Sequence, residues 1–160
     1  SVDLPFSTAY ARFHRNFLTG TIPTEIGNLN PREFWMHRMP LEGPIPSEMG
    51  LMDNLVDIRL HSTSISGTIP EEIYGLSNLY RLDLFNSKVS GTISTSIGRL
   101  QELQILRLRN ANMSGTIPTE LALLPELTTV WLDGNDFEGI LSTEICALEE
   151  MEEIVADCLP

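Results

Sequence analysis

The sequence has few cationic residues and lacks any long apolar run. Ten lysines and arginines stand against 22 aspartates and glutamates, which gives a formal net charge of −12 at pH 7 over 160 residues. Non-specific nucleic-acid binding requires a basic surface, so we expect no nucleic-acid partner. No apolar run approaches the roughly 18 residues of a membrane-spanning helix. We therefore expect no direct membrane insertion by this segment.

Sequence motifs of catalysis and cofactor binding are also lacking. The chain has no HExxH or CxxC motif, no glycine-rich loop ahead of a helix and no serine in a nucleophile elbow. Adjacent carboxylates such as Glu71 and Glu72 have no convergent base, and we interpret them as solvated surface charge. We expect no enzymatic activity, no catalytic residue and no cofactor.

Cysteine is scarce, and both cysteines lie near the end of the sequence. Cys146 and Cys158 are twelve residues apart. A disulfide between them would close the last part of the chain and would fit an oxidising, extracytoplasmic compartment. The alternatives are that both thiols are free or that they pair with cysteines beyond Pro160.

What the sequence does contain is a repeat. Similar phrases such as GTIPTEIGNL and GTIPEEIYGL begin at six glycines, spaced by 23, 24, 24, 24 and 24 residues: Gly20, Gly43, Gly67, Gly91, Gly115 and Gly139. A fixed period of this length predicts a stack of one structural unit, in which each coil buries its apolar face on the next. We expect one domain over 1–160, with a partial first turn at 1–19 and a last turn at 139–160. Since the chain begins within a repeat, we expect it to be part of a longer protein.

The apolar positions inside the repeat predict its local structure. With each glycine as position 1, apolar residues recur at positions 3, 7, 10, 16, 18 and 23. The alternation at positions 16 and 18, as in Leu82 and Leu84, predicts a half-buried strand. The 3–7–10 spacing predicts an irregular or short 3₁₀ segment. Proline, which disfavours a helix through position 4, occurs there in four repeats: Pro23, Pro46, Pro70 and Pro118.

The pattern LxxLxLxxNxLxGxIPxxIGxL, filled over residues 9–160, resembles the plant-type leucine-rich repeat. Proteins with this repeat include ectodomains of receptor-like kinases and receptor-like proteins, and polygalacturonase-inhibiting proteins. The resemblance implies an α/β-type solenoid, a right-handed superhelix with a concave parallel β-sheet and an irregular or 3₁₀ convex side. It also implies a non-catalytic binding module that is secreted or exposed at the cell surface.

The sequence departs from this family at the asparagine of position 21, which hydrogen-bonds to backbone groups in family members. Asn16 and Asn135 keep the asparagine, and the slots between them hold other residues: Met39, Thr63, Ser87 and Ala111. Methionine and alanine cannot replace the donors and acceptors of an amide. We therefore expect the middle of the stack to be looser than its length implies.

Two columns of side chains are predicted to line the concave face. Position 17 holds, in order along the stack, Arg12, Trp35, Arg59, Asp83, Arg107, Trp131 and Val155. Position 19 holds His14, His37, His61, Phe85, Arg109, Asp133 and Asp157. Eight of the ten lysines and arginines lie on or beside these strands: Arg12, Arg15, Arg32, Arg38, Arg59, Arg81, Arg107 and Arg109. Because only Glu33, Asp57 and Asp83 oppose them on the first five strands, we expect this face to be electropositive.

We expect the concave face to bind a protein, a peptide or an anionic glycan. The candidate ligand-binding residues are Arg12, His14, Trp35, His37, Arg59, His61, Arg81, Phe85, Arg107, Arg109 and Trp131. Arginine would pair with carboxylate or sulfate groups, and the aromatic rings would stack on sugars or apolar side chains. Three alternatives remain: an inhibitor that docks an extracellular hydrolase, a structural spacer without a ligand, and a merely solvated face on which the arginines pair with neighbouring carboxylates.

The histidines and one sequon allow narrower hypotheses. Three imidazoles in one column could bind a metal or make ligand binding depend on pH, although the nearby arginines disfavour a metal, and we expect no metal site. Asn112-Met113-Ser114 matches the N-glycosylation sequon, in a turn that follows a strand. We take Asn112 as a candidate glycosylation site.

Overall fold

The computed structural model describes residues 10–139, 141–146 and 153–156, and these residues form a stack of coils. Each complete coil contains a strand of one sheet, a strand of a second sheet and a short helix. The solenoid predicted from the repeat is confirmed.

The concave sheet has seven parallel strands within the described ranges, and every second strand in chain order belongs to it. Equivalent residues of successive coils lie directly side by side, as in the pairing of Trp35 with Arg59 and of Trp131 with Arg107. The strands are β1 (Tyr10–Arg12), β3 (Glu33–Trp35), β5 (Asp57–Arg59), β7 (Arg81–Asp83), β9 (Ile105–Arg107), β11 (Thr129–Trp131) and β13 (Glu153–Val155). The placement of Trp35 in the same column as Arg59 is therefore correct.

A second parallel sheet, which sequence reasoning missed, has six strands in the described part of the chain. Its strands follow the turn after each concave strand: β2 (Gly20–Thr21), β4 (Leu41–Gly43), β6 (Ser64–Gly67), β8 (Lys88–Gly91), β10 (Asn112–Thr116) and β12 (Asp136–Glu138). These strands are short, and all but β12 include the repeat glycine, so they show no sustained alternation of apolar and polar residues. Their pairing comes from backbone hydrogen bonds that the stacking of coils provides.

The convex side carries one helical turn per coil. The 3₁₀ helices span Thr24–Asn28, Ser47–Leu51, Glu71–Gly75, Thr95–Arg99 and Thr119–Leu123, and a short α-helix, α1, spans Thr143–Cys146. The predicted proline lies immediately before four of the 3₁₀ helices, where its missing N–H is not needed. In the fourth coil Ser94 takes this place, and its hydroxyl accepts a hydrogen bond from the Ser96 amide at 3.1 Å.

The repeat glycine is required both by the backbone and by the neighbouring coil. Gly43, Gly91 and Gly115 adopt φ values of +77°, +85° and +73°. A Cβ atom at any of them would lie within 2.9 Å of a threonine methyl group of the preceding coil. The strict glycine period thus reflects a left-handed turn packed under a methyl group.

The core contains most of the predicted apolar positions, although Leu18 and Leu29 of the first coil are exposed, and it includes one column that the sequence analysis did not list. Position 13 of the repeat supplies leucines that are fully buried: Leu55, Leu79, Leu103 and Leu127. They lie between the 3₁₀ helix and the concave strand, where the amide of Leu55 donates to the carbonyl of Met52 at 2.9 Å. The core is therefore continuous from the convex helices to the concave sheet.

The position-21 slots differ in how well they satisfy the backbone. The amide nitrogen of Asn135 donates to the carbonyls of Leu108 and Leu132 at 2.9 and 2.7 Å, and its oxygen accepts from the Met113 amide at 3.1 Å. Thr63 retains part of this set, because its hydroxyl donates to the Leu60 carbonyl at 2.7 Å. Ala111 is buried and offers no such group.

We predict that Asn135→Ala lowers the free energy of unfolding by about 2–3 kcal/mol, because it removes the hydrogen bonds that its side chain makes to backbone groups of two coils. Conversely, Ala111→Asn should raise it by about 1 kcal/mol by restoring an amide to the central stack. Urea denaturation measures both changes. Asn16→Ala is the matched control, since Asn16 makes a single bond to the Phe13 carbonyl at an exposed site. Equal losses at positions 16 and 135 would contradict this account.

Candidate ligand-binding face

The concave sheet brings the predicted face residues together in two columns. Strand pairing aligns Arg12 with Trp35, Trp35 with Arg59, and Arg59 with Asp83. The alignment continues through Arg107 and Trp131 to Val155. Since parallel neighbours are ~4.8 Å apart, side chains of one column must contact each other.

Position 19 forms a continuous stack of four rings, which we call the ring column: His14, His37, His61 and Phe85. The centroids of His14 and His37 are 4.7 Å apart with an interplanar angle of 6°. The next two separations, from His37 to His61 and from His61 to Phe85, are both 4.3 Å. The imidazoles thus contact each other through their faces and leave only their edges for polar contacts.

In the position-17 column, each tryptophan lies beside at least one arginine. The guanidinium carbons of Arg12 and Arg59 lie 4.2 and 4.0 Å from the ring centroid of Trp35, so that Trp35 is held between two cations. Arg107 lies 4.0 Å from the centroid of Trp131 in the same way. These cation–π contacts hold the indoles in place at the surface of the sheet.

Half of the arginines on this face are paired with carboxylates. Arg12 contacts Glu33 at 2.5 Å, Arg59 contacts Asp57 at 2.7 Å, Arg107 approaches Asp83 at 3.8 Å and Arg109 contacts Asp133 at 2.8 Å. The alternative interpretation, in which arginines pair with neighbouring carboxylates, accounts for these four. The other four have no carboxylate within ion-pair distance in the described coils: Arg15, Arg32, Arg38 and Arg81.

Two of the acidic partners are buried, which the sequence alone did not indicate. Asp57 and Asp83 are 1% and 2% exposed. Asp57 accepts hydrogen bonds from the Arg59 guanidinium and, at 3.0 Å, from the Tyr80 hydroxyl. Burial raises the pKa of Asp83 to about 6, although Arg107 and Arg81 act in the opposite direction. Sequence reasoning missed Tyr80 because it precedes the concave strand.

Buried polar atoms without a hydrogen-bond partner in the described residues are concentrated on this face. They include ring nitrogens of the two indoles and of two histidines, and guanidinium nitrogens. The atoms on concave strands or their ends are His14 Nδ1, Trp35 Nε1, His37 Nδ1, Arg81 Nε, Asp83 Oδ1, Arg107 Nε, Trp131 Nε1 and Asp133 Oδ1. An unpaired buried polar group costs about 1–3 kcal/mol, and the concave face holds most of the unsatisfied buried side-chain polar groups of the described coils.

His37 and His61 are uncharged at neutral pH. The pKa of His37 is lowered to about 4 by burial and then by the basic groups His14, Arg59, Arg38 and Arg15, which oppose a proton on this ring. Burial, followed by His37 and three arginines, lowers the pKa of His61 to about 3. The hypothesis that these two rings titrate between pH 5 and 8 is therefore not supported.

The remaining predicted sites lie away from the concave face. Asn112 is exposed and begins β10, so it lies in a strand of the second sheet rather than in a turn. Cys146 is the last residue of α1, and Cys158 lies outside the described residues, so the disulfide stays a prediction.

The described coils also contain a groove away from the concave face. A groove of about 550 Å³ lies on the convex side, and Glu120 is the single titratable residue that lines it. Within the described ranges, histidine, cysteine and carboxylate side chains do not gather into a group of three that could hold a metal ion. Across the same residues, helices fall short of the length and apolar character needed to cross a bilayer.

Comparison with solved structures shows that the chain is similar to plant leucine-rich-repeat proteins, among them receptor ectodomains. The plant peptide hormone receptor RGFR1, solved with RGF2, is 28% identical, with a TM-score of 0.89 over 92% of this chain and 24% of that one. The ectodomain of the Arabidopsis thaliana membrane receptor kinase GASSHO1/SCHENGEN3 was solved with CASPARIAN STRIP INTEGRITY FACTOR 2. It is 34% identical, with a TM-score of 0.80, over 84% of this chain and 16% of the receptor chain. A plant ice-binding protein is 30% identical, with a TM-score of 0.77, over 82% of this chain and 43% of that protein's chain.

The chain therefore spans about a quarter or less of the two receptor ectodomains. No protein-family model and no curated protein sequence matches it significantly. The likeness to the solved structures supports the assignment of the repeat type and of the fold.

We predict that His61→Phe stabilises the protein progressively as the pH falls from about 6.5 towards 4. The unfolded chain takes up a proton on His61 in this range, whereas the folded chain, with its pKa near 3, does not. The free energy of unfolding of the wild type therefore falls as the pH drops below 6.5, by up to about 1.4 kcal/mol for each pH unit. The difference in unfolding free energy between variant and wild type, measured by urea denaturation at several pH values, tests this.

Asp83→Asn provides a control of opposite sign for the histidine experiment. The pKa of Asp83 is raised to about 6 in the folded chain, compared with an unfolded value near 3.8. The stabilisation that Asp83 gives to the folded state is therefore fully present below pH 3.8 and is lost as the pH rises through 6. Wild type should gain stability relative to this variant as the pH falls from 6 to 4. The same pH trend in both variants would contradict the two assignments.

We also predict that Arg59→Gln costs about 2 kcal/mol of stability, because it leaves the buried carboxylate of Asp57 without its cation. The double variant Arg59→Gln, Asp57→Asn should cost less than Arg59→Gln alone. A double-mutant cycle read by thermal denaturation measures the coupling. Additive losses would show that the pair does not act as a unit.

Proposed function

We propose that the chain is a non-catalytic ligand-recognition module of a secreted or cell-surface protein, because it is a plant-type leucine-rich-repeat solenoid that resembles receptor ectodomains. The proposed ligand is an extended acidic peptide that binds along the concave sheet. The observation that carries the proposal is the concentration of unpartnered polar atoms on that sheet, beside four arginines without a carboxylate.

The chemistry of these atoms favours an acceptor-rich ligand. Indole N–H groups and guanidinium N–H groups can only donate hydrogen bonds. Trp35 Nε1, Trp131 Nε1, Arg81 Nε and Arg107 Nε are such donors. Peptide carbonyls and side-chain carboxylates are acceptors, and the unpaired arginines supply the charge that attracts the latter.

The shape of the face fits an extended ligand. Seven strands at ~4.8 Å give a face roughly 30 Å long, which an extended peptide of about ten residues would span. The rows of rings and guanidinium groups run in the same direction, across the strands. A small metabolite would contact only one or two coils.

The similar solved structures make peptide the preferred class of ligand. RGFR1 is described as a plant peptide hormone receptor, and the Arabidopsis receptor kinase HAESA was solved with the peptide hormone IDA. An anionic glycan, a folded hydrolase and the absence of any ligand are the competing outcomes. The ice-binding protein shares the fold without indicating which face of this chain would be used.

We predict that selection from a displayed library of random peptides of about ten residues enriches aspartate and glutamate. Binding of the selected peptides should weaken steeply between low and high salt, because the exposed charges are screened. The double variant Arg81→Gln, Trp131→Ala should weaken binding by more than about tenfold, since both residues carry unpartnered donors on the face. Neither change leaves a buried aspartate without the arginine that contacts it.

Lys88→Gln is the matched control for this experiment, because Lys88 lies in β8 of the second sheet. It should leave peptide affinity unchanged, and circular dichroism should show that all variants are folded. Capture of oligogalacturonate without capture of acidic peptides, inhibition of a wall hydrolase that survives the double variant, or no salt-dependent capture at all would each overturn the proposal.

A further inference from the structure

Two arginines on neighbouring coils occupy a turn position that disfavours arginine. Arg15 and Arg38 have φ values of +58° and +56°. The same turn in the following four coils uses residues that are smaller: Ser62, Asn86, Asn110 and Gly134. A left-handed conformation costs roughly 1 kcal/mol for a residue with a long side chain, and asparagine and glycine tolerate it better.

The turn itself does not need the arginine side chains. The backbone amides of Arg15 and Arg38 donate to the carbonyls of His37 and His61 at 3.3 and 3.0 Å, and the equivalent amides of the next coils donate in the same way. The backbone is therefore held by the stack whatever side chain is present. A residue kept at a conformational cost that local structure does not explain indicates a functional role.

Both arginines lack a counterion. Each is exposed, and neither has a carboxylate within ion-pair distance among the described residues. Glu33, which lies on the same coil as Arg38, is engaged by Arg12. Two uncompensated cations thus stand one strand spacing apart at the edge of the concave sheet.

The histidines that precede these arginines present unpartnered nitrogens. His14 Nδ1 and His37 Nδ1 are buried and have no hydrogen-bond partner in the described part of the chain. Their rings are stacked at 4.7 Å with nearly parallel planes. The polar edges of the two rings therefore lie side by side, next in sequence to Arg15 and Arg38.

The titratable groups that act on His37 are all basic, and each opposes a proton on its ring. They are His14 and Arg15 on the preceding coil, Arg38 on its own coil and Arg59 on the next coil. Together with burial, which is the largest cause, they lower the pKa of this imidazole to about 4. An anion placed among these groups would oppose that field and would favour the protonated ring.

We propose that Arg15, Arg38 and the ring edges of His14 and His37 form an oxyanion subsite, which takes a carboxylate or sulfate group and in which anion binding is accompanied by proton uptake on His37. The inference rests on the proposed function, since the oxyanion would belong to the ligand of the concave face. It adds to that proposal the place at which one acidic group of the ligand binds. It also adds a pH dependence of binding that the other arginines of the face would not produce.

The coupling has a calculable size. An opposite charge within a few ångströms raises the pKa of a basic group by about one unit or more. If the midpoint of His37 rises by one unit when the anion binds, linkage requires that the anion bind about threefold more tightly at pH 4.5 than at pH 7. Two fixed arginines without a titrating histidine would give no such change.

The experiment uses inorganic sulfate, so that it does not depend on knowing the peptide. The midpoint of His37 is measured by NMR titration of its imidazole in sodium sulfate and in sodium chloride at equal ionic strength. We expect a rise of about one unit in sulfate. A parallel titration in sodium acetate, over the range in which acetate is ionised, distinguishes carboxylate from sulfate as the preferred group.

The double variant Arg15→Asn, Arg38→Asn removes both guanidinium groups and places at the turn the residue used in later coils. Its melting temperature should equal or exceed that of wild type, whereas the sulfate-dependent rise at His37 should disappear. Arg32→Asn is the matched control, because Arg32 is exposed, has no carboxylate partner and lies before β3, at the opposite end of the strand. It should retain the full rise.

An unchanged His37 midpoint in sulfate would overturn the subsite, as would a rise of wild-type size in the double variant. Arg38→Lys keeps the charge but not the forked guanidinium, and a reduced rise in this variant is expected. This variant keeps the test valid if the double variant does not fold. A rise in wild type together with failure of peptide capture would overturn the proposed function and leave the subsite standing.

Discussion

The parallel register of the concave sheet is the constraint on which the other features depend. Because each strand pairs with the next without a shift, residues of equal repeat position are held ~4.8 Å apart. This distance is close to that of stacked rings and of a guanidinium over an indole. The ring column and the alternation of arginine with tryptophan are thus direct consequences of backbone pairing, and the order of residues along a column decides which contacts form.

The same register explains how an acidic protein carries a cationic strip. Arginines at positions 17 and 19 reach carboxylates on their own or the adjacent strand, which allows Asp57 and Asp83 to be buried within the sheet. Pairing consumes half of the arginines and leaves the others at the two ends of the strands. The positive charge available to a ligand therefore lies along the edges of the concave sheet, while the centre presents rings and hydrogen-bond donors.

Much of this structure could be predicted from the glycine period and the apolar positions. The coil phase, the 3₁₀ segments after proline and the membership of both columns follow from residue types at fixed spacing. The second sheet could not be predicted, because strands such as Gly20–Thr21 have no side-chain pattern and form only through stacking. The buried state of Asp57 was equally invisible, since it depends on the Arg59 guanidinium and on the hydroxyl of Tyr80 from the next coil. Left-handed backbone at Arg15 and Arg38 contradicts residue preference and becomes visible only in three dimensions.

The alternation along the columns has a consequence for how such a protein can change by duplication or loss of coils. The coils are similar in shape, because each repeat glycine adopts the same left-handed backbone and the strands pair without a shift. Their inner side chains are not interchangeable. Loss of the coil that carries Asp83 and Phe85 would bring Arg59 against Arg107, so that like charges would meet where Arg107 now approaches Asp83. It would also put Arg109 beside His61 in place of the stacked ring of Phe85. Unequal recombination between repeats would therefore preserve the solenoid and change the contacts on the concave face, which depend on the order of the coils as well as on their number.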